Sequence, residues 1–275
     1  MFDNYLELIV SLHKDGWSPW EWNQVANAPP PPQTHDYERV AHGALVAYQP
    51  TLVDRTLGKD HIVRSQLEAA VHAARQQDAG IHQQIHAQWE WYRRVGHGVI
   101  QGDLAAYRTV LEHLMPFEEL EQLGTAVGLR SEAPWYVEAD VMVGDEDVIP
   151  AEERKLLASG KVSVKDMPKA KYWALYQDHV CSAALRVGRE LFALLPVNTV
   201  FVHVGQRGLD SATGHHAVVP LVSASFDRAS FMTLSFDRLD PSDAVSRFTH
   251  RMKFKKTTGF SPIEPIAPGN SMTSS

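Results

Sequence analysis

Apolar residues recur through the first hundred positions at the three- and four-residue spacing of a helix. Tyr5, Leu6, Leu8, Ile9 and Leu12 predict a short amphipathic helix, and residues 36–49 predict a second that ends before Pro50. From Ile62 to Val99 the period is strong. Leu67, Val71, Ala74, Ile81, Ile85, Trp89, Tyr92 and Val95 draw a narrow stripe along a surface rich in Gln, His and Ala. That pattern predicts a long helix with a coiled-coil-like seam, weakened at Gly80 by about 1 kcal/mol relative to Ala. Asp103 is placed to cap a further helix, Leu104 to Leu114, which Met115-Pro116 ends. Between the first two helices, Trp17, Trp20 and Trp22 precede the run Pro29 to Pro32. Prolines in series adopt extended polyproline II. The segment reads as a hydrophobic hook, clipped either onto the chain's own body or onto a partner.

After Gly124 the period shortens to two. Trp135, Val137, Ala139, Val141 and Val143 alternate with Tyr136, Glu138, Asp140 and Met142, the pattern of a half-buried strand. Gly144 to Asp147 reads as a turn, Ala151 to Ala158 as a short helix stopped at Gly160, and Lys161 to Lys165 as a brief strand or extended loop. A helix is predicted from Lys169 to Leu195, with Trp173, Tyr176, Val180, Ala184, Val187, Leu191 and Leu194 on its core stripe. Thr199–Val204 and His215–Phe226 predict a β-hairpin with a long polar loop, and Pro220 puts the second strand at an edge or a bulge. Asp227 and the sequence Asp240-Pro241-Ser242-Asp243 open two short helices. The expectation is an α+β fold: a helical N-terminal arm (1–120), a mixed or antiparallel sheet of at least four strands packed on one long helix (121–260), and a flexible tail (261–275).

Composition narrows the class more than the function. Of 275 residues, 44% are hydrophobic and 21% charged, enough apolar content for a core and too much for a disordered chain. One cysteine, Cys181, excludes an intrachain disulfide, and its apolar helical setting marks it as a buried hydrophobe. The N-terminus lacks the pattern of a signal peptide, and no apolar run is long enough to span a bilayer, so a cytoplasmic protein is expected. The formal charge of −7 argues against a surface that binds DNA everywhere. That charge is segregated. Acid gathers between Glu118 and Glu153, while Arg247, His250, Arg251, Lys253, Lys255 and Lys256 form a basic stretch interleaved with Phe248 and Phe254. Cations with aromatics between them suit a phosphate-bearing ligand, nucleic acid above all. Lys161, Lys165, Lys169 and Lys171 form a second basic cluster.

Candidate chemistry is sparse. Glu138 and Asp140 share one face of a strand and offer oxygen ligands to a divalent metal, the basis of a metal-dependent nuclease or hydrolase. The lysine such a site needs beyond the second acid is missing, and the triplet Glu153-Arg154-Lys155 reads as helix. His82 and His86 share a helix face at a metal-binding spacing, without the glutamate of the zinc-protease motif. His215 and His216, at the mouth of the hairpin loop, converge with His203 if the strands pair in register. No phosphate loop, nucleophile elbow or dinucleotide fingerprint is present.

The run from Tyr172 to Phe260 carries distinctive marks: Leu175-Tyr176-Gln177-Asp178, Arg186 with Glu190-Leu191-Phe192, Asp210-Ser211-Ala212-Thr213-Gly214-His215, and Phe236-Asp237-Arg238-Leu239-Asp240-Pro241. It resembles a bacterial domain found alone and beside restriction-endonuclease-type and membrane-anchored modules. The resemblance implies a bacterial source and an accessory role in a multi-component system of defence type, and it transfers no catalytic residue. The expected role is binding or assembly, with a protein partner or a second copy engaged by the arm and nucleic acid by the basic stretch. A purely structural oligomeric subunit is the third reading.

Overall fold

Helices fill the first half of the chain and strands the second. In a computed structural model, which describes residues 2–144, 146–156, 161–209 and 214–271, the order begins with α1 (Phe2–Val10), α2 (Trp22–Ala26), α3 (Asp36–Ala47), α4 (Leu52–Thr56), α5 (Lys59–Ile100), α6 (Leu104–Leu114) and α7 (Glu118–Gln122). Strands β1 (Ala126–Arg130), β2 (Tyr136–Met142), β3 (Glu152–Leu156) and β4 (Val162–Asp166) follow, then the long helix α8 (Lys169–Leu194). The chain continues through β5 (Thr199–Leu209), β6 (His216–Asp227), α9 (Arg228–Phe231), α10 (Pro241–Ser246), β7 (Thr249–Lys255) and β8 (Gly259–Ser261). This is an α+β fold. Its backbone divides into two compact units, residues 21–97 and residues 1–20 with 98–275. Residues 1–20 and 98–120, expected in the arm, thus group with the sheet.

In the unit of residues 21–97, α5 is the spine. Asp78 is buried on it and accepts hydrogen bonds from the backbone N–H groups of Tyr37 (3.2 Å) and Glu38 (2.8 Å). A carboxylate from another helix thus satisfies the open first turn of α3. Glu38 in turn pairs with Arg75 at 2.6 Å. Gly96 allows close approach, since a Cβ there would lie 3.3 Å from that of Ala26. Trp89 donates its indole N–H to Ala28 O at 2.9 Å. No residue of α3 or α4 is buried.

The other unit is built on a six-stranded sheet in the order β1-β2-β5-β6-β7-β8, all neighbours antiparallel except β2 and β5. The β2–β5 pair is parallel and needs a crossover, which α8 supplies. A Cβ on Gly188 of α8 would sit 3.0 Å from Phe226, so Phe226 faces the helix. By register, Val200, Val202 and Val204 share that face with Val137, Ala139 and Val141. These valines and alanines are buried against Val180, Ala184, Val187 and Leu191, the stripe read from the sequence. Pro220 lies opposite Gly205, where the β5–β6 register slips, so the residue without an N–H sits at a bulge.

Four local features differ from the expectations. Glu152–Leu156, read as helix, is a strand paired antiparallel with Val162–Asp166. Its residues favour helix, but the β-branched Val162 and Val164 impose a partner, and pairing overrides weak propensity. Leu157 to Gly160 lie outside the described residues. The basic stretch holds strand β7, and β1 is an edge strand that the sequence pattern did not reveal. The tail begins as a strap across the sheet: Ile263 N donates to Pro220 O (3.1 Å), Ile266 N donates to Ser223 Oγ (2.9 Å), and both isoleucines are buried.

The first part of the hook, up to Trp20, clips onto α8, whereas Trp22 and Pro29 to Pro32 belong to the unit of residues 21–97. His13 lies against Ser182 (Nδ1 to Oγ 2.8 Å), Trp17 N donates to Glu190 Oε2 (3.3 Å), and Trp20 N donates to Ala193 O (2.8 Å). Arg189 holds the carbonyls of His13 and Lys14.

Candidate functional site

The sheet face turned away from α8 carries the acidic pair. Glu138 and Asp140 project from it, as the alternation predicted, and Asp140 is paired in register with His203 of β5. Arg130 of β1 lies between the carboxylates, 3.1 Å from Asp140 and 3.6 Å from Glu138. For this pair to hold a divalent cation, the guanidinium has to leave. The Glu153-x-Lys155 triplet is on a strand after all, but in the separate β3–β4 sheet rather than beside β2.

A polar chain runs from this pair into the sheet. His203 Nε2 is 3.6 Å from Glu138 Oε2, and His203 Nδ1 is 2.9 Å from Ser223 Oγ on β6. Ser223 Oγ accepts the Ile266 N–H and shares its other hydrogen bond with His203 Nδ1, so one hydroxyl joins the imidazole to the strap. Burial holds His203 below the ordinary histidine range, against the opposing pull of Asp140 and Glu138. Serine, histidine and carboxylate are thus in sequence, but Ser223 is fully buried beneath the strap. As it stands, the chain ties three strands and the strap together.

The basic stretch divides by parity. Arg251, Lys253 and Lys255 are exposed on one face of β7, while His250, Met252 and Phe254 are half-buried on the other. Lys256 and Arg247 are exposed at either side. The aromatics expected to meet a ligand are committed elsewhere. Phe248 is buried with its ring 5.0 Å from that of Phe226, and Phe254 packs on Phe260 at 5.1 Å. Arg251 also donates to the strap carbonyls of Glu264 (3.1 Å) and Pro265 (3.3 Å).

The histidines do not converge. β5 runs to Leu209, which pairs with His216, whereas His203 pairs with Ser223. Six residues of strand separate the two positions, about 20 Å. His215 is exposed, and residues 210–213 of the loop motif lie outside the described residues. His82 and His86 do share a face of α5, with ring centroids 5.9 Å apart, and His86 packs on Trp89 at 5.0 Å. Among the described residues no group of three or more His, Cys, Asp or Glu is arranged to hold a metal ion.

Two features escaped the sequence. Arg130 and Ser223 join the acidic pair only through strand register, which no local pattern discloses. Asp178, on α8, is half-buried and its carboxyl is pushed up to about 6, by burial first and then by Asp240 and Asp243, with Lys256 opposing. No protein-family model, curated protein or solved structure matches the chain. No helix among the described residues is long and apolar enough to cross a membrane.

Proposed function

We propose that this chain is a bacterial accessory protein that binds and assembles rather than catalyses. The observation that supports this most is the apolar surface of residues 21–97. Val40, Val46, Leu52, Val53, Leu57 and Ile62 are each more than half exposed, and α3 and α4, which carry the first four, bury none of their residues. Large apolar side chains left exposed at this density along one segment support an interaction surface. Self-association through the arm is the reading we adopt. Light scattering of the full chain across a concentration series tests it. The expected result is an oligomer that Leu52→Asp with Val53→Asp dissociates; a monomer at every concentration overturns it.

A second reading rests on β7. Arg251, Lys253 and Lys255 recur on one exposed face at a two-residue period, a ladder of cations about 7 Å apart suited to a phosphate backbone. Replacing Lys253, Lys255 and Lys256 with Glu is expected to remove nucleic-acid binding and its salt dependence. Absence of salt-dependent binding by the unmodified chain sinks this reading. A hydrolase built on Glu138 and Asp140 has less support, because Arg130 already occupies the space between the two carboxylates.

A further inference from the structure

A helix end leaves its last carbonyls open, and those at the end of α1 and in the single helical turn that follows it (Leu12–Lys14) find their donors on α8. His179 Nδ1 lies 2.8 Å from Ile9 O, and Arg186 reaches Leu12 O at 3.5 Å. Arg189 donates to His13 O at 3.1 Å and to Lys14 O at 2.6 Å. Ser182 Oγ accepts the His13 N–H at 3.0 Å and lies 2.8 Å from Nδ1 of its ring, and Glu190 accepts from Trp17 N. His179, Ser182, Arg186, Arg189 and Glu190 are spaced by three and four residues and so line one face of α8. Leu6, Ile9 and Leu12 are buried beside this polar seam.

Two buried histidines belong to the seam, one from each side. A carbonyl only accepts, so the bond to Ile9 fixes the proton of neutral His179 on Nδ1 and leaves Nε2 bare. Nε2 is itself buried, and no described residue hydrogen-bonds to it. A second proton has only that nitrogen to go to, where it puts a charged N–H in a site without an acceptor. Burial is the leading effect on His179 and holds it below the ordinary 6.5, with the Ile9 carbonyl pulling the other way. His13 is also held low, by burial first, then by its neighbour Lys14 and by Arg189 of α8. The Phe236 carbonyl and Asp240, which lies ahead of α10, pull it upward.

We propose that residues 2–17 are a pH-operated latch: neutral His13 and His179 keep the segment on α8, and their protonation in mild acid releases it, baring the polar face of α8 while the sheet stays folded. The sign follows from which state takes the proton more readily. Once released, both imidazoles return to water and to the ordinary 6.5. Their contribution to attachment is therefore full above that value and is lost as pH falls below it. Glu190 works in the other direction. Burial raises its carboxyl above the ordinary 4.5, against Arg186, Trp17 N and Arg189, so its contribution is present below 4.5 and is lost as pH rises through the raised value. Two histidines against one carboxylate put release on the acid side. The groups acting on Asp178, beside His179 on α8, are Asp240, Asp243 and Lys256, none of them in the segment. The latch depends on neither functional reading above.

A spin label on the segment tests it. Asp15 is exposed and the native Cys181 is buried, so a nitroxide attached to Asp15→Cys reports on the segment alone. In the full chain the mobile fraction of the label is expected to rise roughly tenfold, and reversibly, from about pH 7.5 to about pH 5.5, with the far-ultraviolet circular dichroism retained. In the unmodified chain the ring-proton NMR signals of His13 and His179 should titrate with the same midpoint. His13→Gln with His179→Gln keeps amide donors and cannot titrate, so there the label should stay immobile at about pH 5.5. Should the glutamines fail to hold the segment even at neutral pH, the ring signals decide: a midpoint shared with the label supports the latch, and separate midpoints overturn it. A label that stays immobile in acid, one that moves only as the circular dichroism collapses, or an acid release unchanged in the glutamine variant overturns the proposal.

Discussion

Arg186 Nε lies 2.7 Å from Glu190 Oε1, one turn apart on α8, and both side chains are buried. The pair is also the anchor of the N-terminal segment. Arg186 reaches Glu119 at 3.1 Å and Leu12 O at 3.5 Å, and Glu190 accepts from Trp17 N. Removing Glu190 takes away the buried counter-charge of Arg186 and leaves it only the exposed Glu119. Glu190→Ala is therefore expected to destabilise by about 3–5 kcal/mol in urea unfolding, whereas Arg186→Met with Glu190→Leu recovers most of the loss. Tryptophan emission should shift red in the single variant as the segment carrying Trp17 and Trp20 comes away from α8.

Asp178 gives the chain a pH dependence of definite sign. Its carboxyl is near 6 when folded and near 3.8 in its ordinary state, so between these values the folded chain binds the extra proton. Its contribution to stability is present below about pH 4 and is lost as pH rises through 6. Asp178→Asn is expected to stabilise the protein at about pH 8, with the gain vanishing toward pH 4. His179 and His203 act in the opposite sense. Burial is the leading cause that lowers both from the ordinary 6.5, so their contribution is full above that value and is lost as pH falls below it. Unfolding midpoints of Asp178→Asn and the unmodified chain, measured across this range, separate the two effects.

Ser223 joins His203 to the strap. Ser223→Ala leaves both His203 Nδ1 and the Ile266 N–H without their shared partner. An unsatisfied buried group costs about 1–3 kcal/mol. The expected signature is local: hydrogen exchange at the Ile266 amide accelerates by more than exchange in β5 and β6.

Gly259, with φ +75°, opens β8 in a conformation that other residues resist. A Cβ there would lie 2.5 Å from the Trp173 ring. Gly259→Ala is expected to cost about 1–2 kcal/mol in backbone strain and about 1–3 kcal/mol more in displacing the ring. A thermal midpoint unchanged by the substitution would contradict this account.

Much of the fold was legible in the sequence because it is written in local periods. Asp103 caps α6 by accepting from Ala105 N at 2.9 Å, Asp227 and Asp240 cap their helices, and the stripe of α8 is the core face. Pro220 announced its bulge. What stayed hidden depends on pairing at a distance. Glu152–Leu156 has the residues of a helix and becomes a strand only when Val162–Asp166 arrives. Arg130 reaches Asp140 across ten positions, and Ser223 reaches His203 across twenty. The aromatics of the basic stretch looked available because sequence shows their spacing and not their side of the strand.

Residues 21–97 interrupt the α+β body, which takes α1 and the segment of Trp17 and Trp20 from before them and its sheet from after. During synthesis the interrupting segment is complete while the body still lacks every strand. The N-terminal residues must therefore wait through the synthesis of about 160 further residues before α8 exists to receive His13 and Trp17. Until then Ile9, Leu12 and the tryptophans are exposed to the cell's chaperones, and it is late emergence of Lys169–Leu194 that sets when the chain's beginning can fold.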